Sequence, residues 1–134
     1  MMKMGILSRR KITKKVLVVD DEPAVCNMLK KFLNKKGYKA ITALSGEEGI
    51  KKVKQEKPHI VLLDIKMPGI DGIETLKRIR EIDKKVGVVM ITVIKEDATG
   101  RKCMELGAYD YITKPFGLDY LESVLLVKLL DFKN

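Results

Sequence analysis

The sequence predicts an α/β fold: one doubly wound, five-stranded parallel sheet with helices on both faces. Two observations predict it. Five short apolar runs alternate with five segments of helical periodicity, the pattern of repeated strand–helix units. The central run, Ile60-Val-Leu-Leu63, is continuously apolar and branched, as a strand covered on both faces must be. Right-handed crossovers follow from parallel connection.

In order, Val16-Leu-Val-Val19 is the first strand, ended by Asp20-Asp-Glu-Pro23. Pro23 suits the first turn of a helix, and acids suit its amino end. The first helix carries Val25, Met28, Leu29, Phe32 and Leu33 at helical spacing and stops at Gly37. Residues 38–43 form the second strand. Ser45 and Glu48 make a capping box for the second helix, which runs to about Lys57 before Pro58. The third strand ends at Asp64, and Pro68, Gly69 and Gly72 make the next segment a loop. The third helix spans about 73–82, with Leu76 and Ile79 inward. Residues 86–91 form the fourth strand, ending at Thr92. The fourth helix covers about 97–106, closed by Gly107. Residues 109–112 form the fifth strand, broken by Lys114-Pro115, and the fifth helix runs from about Leu118 to Leu130.

The 134 residues suffice for one core, filled by aliphatic side chains because aromatics are scarce. No apolar run approaches the ~18 residues of a membrane span, and Gly5-Ile-Leu7 is too short for a signal peptide. Cys26 and Cys103 lie in helical patterns without a CxxC or a ligand cluster, which points away from zinc and disulfides and toward a cytoplasmic home. The net charge of +9 is concentrated in residues 1–15, where Lys3, Arg9, Arg10, Lys11, Lys14 and Lys15 meet no acid. That stretch reads as a disordered basic leader ahead of a domain over 16–134. A touch on nucleic acid or an anionic surface is the alternative reading. No direct DNA binding is expected from the folded part.

The strand ends carry the chemistry. In an open parallel sheet, ligands bind at the carboxyl edge of the strands. Here that edge gathers Asp20 and Asp21, Asp64, Thr92 and Lys114. Each has a plainer reading: a turn Asp at 64, helix capping at 20 and 21, a surface lysine at 114. Together they describe a site. Carboxylates a few ångströms apart repel by roughly 4 kcal/mol per pair at an effective dielectric near 20, so either some protonate or a cation sits among them. Oxygen donors without His or Cys favour a hard ion, Mg²⁺ (or Mn²⁺). A metal, an ammonium and a hydroxyl around one carboxylate suit a phosphoryl group, with Asp64 as nucleophile. The lone His59 makes no metal cluster and reads as a strand-edge residue.

Four stretches now identify a resemblance: Leu17-Val-Val-Asp-Asp-Glu-Pro23, Leu63-Asp-Ile-Lys-Met-Pro-Gly-Ile-Asp-Gly72, Met90-Ile-Thr92 and Gly107-Ala-Tyr-Asp-Tyr-Ile-Thr-Lys-Pro-Phe116. From about Val16 to Phe132 the chain resembles the receiver domain of two-component response regulators. The resemblance implies strand order 2-1-3-4-5, a flavodoxin-like arrangement. It implies that Asp64 accepts phosphate from a sensor histidine kinase or a phosphotransfer protein. Asp21, Asp64 and the Lys66 backbone carbonyl would hold Mg²⁺ directly, and Asp20 mainly through water. Thr92 would move to the phosphoryl group, Lys114 would pair with it, and Tyr111 would swing inward. The Lys114–Pro115 bond would be cis.

One departure stands out. The family usually has a small residue after the switch Thr, and this chain has Val93, whose branched side chain is expected to crowd the phosphoryl path or restrain the loop. If the sequence is the whole protein, output is expected through a downstream protein partner at helix four, strand five and helix five; a piece of a longer regulator is the alternative. A phosphate-independent interaction module on the same fold is the alternative, and the intact acidic set opposes it. A flavin or nucleotide enzyme is opposed by Asp20-Asp-Glu22, which would repel a phosphate where such enzymes place an amide-rich loop. Only self-phosphorylation and self-dephosphorylation chemistry is expected, not turnover of a separate substrate.

Overall fold

The computed structural model describes residues 13–130. Its order is β1 (Lys15–Val19), α1 (Pro23–Lys35), β2 (Lys39–Ala43), α2 (Gly46–Glu56), β3 (Ile60–Leu63), α3 (Gly72–Ile82), β4 (Gly87–Thr92), α4 (Asp97–Glu105), β5 (Asp110–Thr113) and α5 (Leu118–Leu129). The five strands form one parallel sheet in the order β2-β1-β3-β4-β5. Residues 1–12 of the expected leader lie outside the described residues, and Lys15, its last member, opens β1.

Period-two alternation divides the apolar runs between two cores. Val16, Val18, Ile60, Leu62, Val89, Ile91 and Ile112 face α1 and α5, where Leu29, Leu33, Leu121 and Leu125 close over them. Leu17, Val19, Val61, Leu63, Val88 and Met90 face α2, α3 and α4, meeting Val53, Leu76, Ile79 and Cys103. Each fully buried Leu or Ile contributes about 1.5–3 kcal/mol of transfer free energy, so the central strands anchor the domain. No helix among the described residues is long and apolar enough to cross a membrane.

The turns follow their residues. Gly37 and Gly107 end α1 and α4 with φ of +94° and +104°, a region glycine enters without Cβ strain. Ser45 caps α2 through its Oγ, which accepts from Glu48 N at 3.1 Å, while Glu48 Oε1 accepts from Leu44 N at 2.8 Å. Asp71 caps α3, accepting from Glu74 N at 2.9 Å.

Candidate phosphoryl-acceptor site

Register puts the site together. Val19 pairs with Leu63, and Leu63 with Met90. Parallel strands therefore release their next residues on one edge. The ladder runs one step beyond the strands: Asp64 N donates to Val19 O at 3.0 Å and Asp20 N to Ala43 O at 3.1 Å. Asp20, Asp21 and Asp64 each offer a carboxylate oxygen, and these oxygens lie within 4.8 Å of one another. Asp20 is 3 % exposed and Asp64 8 %, so the charges are held where water screens them poorly.

Lys114 answers part of that charge. Its Nζ donates to Asp20 Oδ2 at 3.0 Å and to Asp64 Oδ2 at 3.5 Å. The backbone places it, since Lys114 N donates to Thr92 O at 2.8 Å and the Lys114–Pro115 peptide is cis. Burial works against the ammonium, but the Asp20 and Asp64 carboxylates prevail and hold its pKa above the ordinary lysine value. Asp64 moves up from the usual aspartate value. Burial is the main cause and the Asp20 charge adds to it, while Lys114 and the Ile65 and Lys66 amides pull the other way.

One ammonium does not balance three carboxylates. Asp20 Oδ1 accepts from Glu22 N at 2.9 Å, but among the described residues no donor reaches the Asp21 carboxylate. An all-oxygen set with open lone pairs fits a hard divalent cation such as Mg²⁺. Cys26 sits behind this set, its Sγ 3.3 Å from Asp20 O, with its pKa raised to about 11, chiefly by burial and then by Asp20. Its Sγ faces the backbone carbonyls of Asp20 and Ala43, at 3.3 and 3.8 Å. His59 lies at the other edge of the sheet, where Nδ1 accepts from Lys15 N at 3.0 Å.

Thr92 and Tyr111 are placed differently from the acids. Thr92 is fully buried, and its Oγ1 accepts from Ile94 N at 3.3 Å; no hydrogen bond links it to Asp64. The Tyr111 hydroxyl donates to Ile94 O at 2.7 Å. Ile94, which sequence reasoning missed, thus joins the two through its own peptide groups. Nothing in the local sequence marks it, because the link depends on how the loop after β4 turns. Val93 is 55 % exposed and stands off the core beside this link.

Comparison with known proteins agrees with the geometry. Residues 16–126 match the sequence model of the response regulator receiver domain. The chain is 37 % identical over 123 residues to sporulation initiation phosphotransferase F of Bacillus subtilis (strain 168), covering 92 % of this chain and 98 % of that protein. It is 43 % identical over 105 residues to the alkaline phosphatase synthesis transcriptional regulatory protein PhoP of the same organism, covering 78 % of this chain but only 44 % of that one. Among solved structures, a chain of the CheX–CheY–BeF3–Mg²⁺ complex from Borrelia burgdorferi superposes with a TM-score of 0.86 at 32 % identity, over 94 % of this chain and 95 % of that one. A CheY-like receiver domain protein from Methanospirillum hungatei JF-1 also gives 0.86, at 28 % identity, over 90 % and 96 %.

Proposed function

The chain belongs to the response regulator receiver domain family, and from that premise we propose that it is a phospho-acceptor switch charged at Asp64. The observation that carries this reading is the trio of carboxylates with oxygens within 4.8 Å, bridged at Asp20 and Asp64 by Lys114. An Asp64 oxygen attacks the phosphorus of a phosphohistidine on a histidine kinase or phosphotransfer protein. The new O–P bond forms as the P–N bond breaks, and the leaving imidazole takes up a proton. Lys114 sits where it can pair with the transferred oxygens. Mg²⁺ held by Asp21, Asp64 and the Lys66 carbonyl, with Asp20 mainly through water, would neutralise charge on the phosphoryl oxygens.

Acetyl phosphate with Mg²⁺ should add one phosphoryl group by intact mass, and chelating the metal should prevent it. Asp21→Ala should weaken Mg²⁺ affinity and phosphorylation together, each by about tenfold or more for one lost charged ligand. Undiminished Mg²⁺ affinity would remove Asp21 from the ligand set.

The switch runs through Ile94. When the Thr92 hydroxyl turns to the phosphoryl group it releases Ile94 N, and Tyr111, tethered to Ile94 O, is free to repack. A phosphoryl group shifts the two conformations only by its differential contacts, and Thr92 supplies one. In amide NMR with beryllofluoride, Thr92→Ala should leave Asp64 modifiable but mute the shifts at Ile94, Tyr111 and α4. Val93→Ala should enlarge those shifts or speed phosphorylation. A full wild-type response in Thr92→Ala would break the proposed link.

A further inference from the structure

The edge of the sheet opposite Asp64 gathers cationic side chains. Between the amino ends of β4 and β5 lies a hollow of about 440 Å³, lined by Arg80, Lys84, Lys85, Lys128, Val86 and Tyr109 and by the Gly107–Ala108 turn. Four of its side chains are cationic and no carboxylate lines it. The acid of the adjoining turn, Asp83, commits Oδ1 to Lys85 N at 2.8 Å and Val86 N at 3.0 Å.

Arg80 gives a second, independent indication. Its Nε and Nη2 donate to Gly107 O at 3.0 and 2.7 Å, and Nη1 donates to Asp83 O at 3.1 Å. All three acceptors are backbone carbonyls, and among the described residues no carboxylate lies within 4.0 Å of this guanidinium. Burial weighs against this guanidinium and the Asp83 charge, from beyond ion-pair distance, offsets part of that cost; two of its five N–H groups remain for a ligand. Its position is fixed by the bonds it already makes, so a fork for an oxyanion is in place before any ligand arrives. Lys84 and Lys85 are exposed and flank it with mobile point charges. Val86 and the Tyr109 ring make an apolar floor, with Lys128 Nζ 5.0 Å from that ring's centroid.

We infer that this hollow is a binding site for a phosphate-class oxyanion carrying at least two negative charges, either free or as the headgroup of a larger phosphorylated molecule. Arg80 provides the fixed fork, and Lys84 and Lys85 close on the remaining oxygens. The site needs no divalent metal and faces away from the acidic cluster, so it is independent of the acceptor chemistry at Asp64. Because Arg80 also grips the Gly107 carbonyl just past α4, occupancy registers at the turn that ends α4.

Inorganic pyrophosphate titrated into the full chain, without divalent metal and at constant ionic strength, tests this by amide NMR. Saturable shifts should concentrate at Lys85, Val86, Gly107 and Ala108. Lys84→Gln/Lys85→Gln, at two exposed positions, should keep the fold's spectrum and weaken binding by about tenfold or more, as expected for lost charge-assisted contacts. Vesicles containing phosphatidic acid, whose phosphomonoester headgroup can carry two charges, distinguish the source of the phosphate. Retention on vesicles that pyrophosphate displaces assigns a lipid headgroup, and pyrophosphate binding without retention assigns a free ligand. Shifts that never saturate, that spread evenly over the lysine-bearing surface, or that the double variant leaves unchanged overturn the site.

Discussion

Asp64→Asn is expected to abolish phosphoryl uptake while making the metal-free fold more stable at neutral pH. The amide has no nucleophilic oxygen, so the transfer rate should fall by a factor on the order of 10⁴ or more, as when other covalent nucleophiles are removed. The stability gain comes from the same carboxylate. Burial, assisted by the Asp20 charge, raises the Asp64 pKa, so folding favours its neutral form. That contribution is fully present below the ordinary aspartate pKa and is lost as pH rises through the raised folded value. At neutral pH the ionised group is therefore a net cost, which Asn removes. Lys114 keeps its shorter bond to Asp20, 3.0 Å against 3.5 Å to Asp64. Its raised pKa makes its own contribution persist at neutral pH and fade only as pH rises through that raised value. Intact mass after acetyl phosphate and Mg²⁺, with urea melts at neutral and acid pH, reads both effects. The gain should be largest at neutral pH and shrink on acidification. Equal mass gain in both proteins would sink the acceptor assignment, and a less stable variant at neutral pH would sink the electrostatic account.

Much of this was legible in the sequence because a parallel sheet covered on both faces forces continuous apolar runs, and their polar terminators must then share an edge. Asp20, Asp21, Asp64 and Lys114 converge for that reason. Strand starts were less legible, because backbone hydrogen bonds set them rather than hydrophobicity. Tyr38 packs against the core, yet its N–H goes back to Leu33 O of α1 at 3.0 Å, so β2 starts at Lys39. Val86 is buried, yet its N–H is taken by Asp83 Oδ1, so β4 starts at Gly87. The resting placement of Thr92 was beyond reach, since a hydroxyl that can meet either a phosphoryl group or Ile94 N is assigned by loop geometry alone. The Arg80–Gly107 clamp joins positions 27 residues apart with no periodic or motif signal.

Gly72→Ala should damage stability and phosphorylation together, and for one steric reason. A Cβ at Gly72 would collide with Asp64 O and stand 2.6 Å from Ile65 Cα and 2.8 Å from Asp64 C. These are backbone atoms, so no rotamer relieves the contact. The approach is built in, because Gly72 N donates to Ile65 O at 2.8 Å and Asp71 caps α3 at this point, pressing the helix start onto the end of β3. Alanine offers about 0.5–1 kcal/mol of helix propensity over glycine, but overpacking typically costs about 1–3 kcal/mol and more where the neighbour cannot yield. The balance is destabilising. Whatever relief occurs must move the Asp64 peptide, and with it the carboxylate held against Asp20 and Lys114. A displacement of about 1 Å costs on the order of a hundredfold in a positioned reaction. Gly37→Ala is the control: its φ of +94° makes Ala strained by about 1–2 kcal/mol, yet a Cβ there meets nothing within 4 Å. Urea melts with acetyl phosphate rates should show Gly37→Ala losing stability alone and Gly72→Ala losing both. A Gly72→Ala protein that phosphorylates at the Gly37→Ala rate would mean that the contact with Asp64 does not position the acceptor.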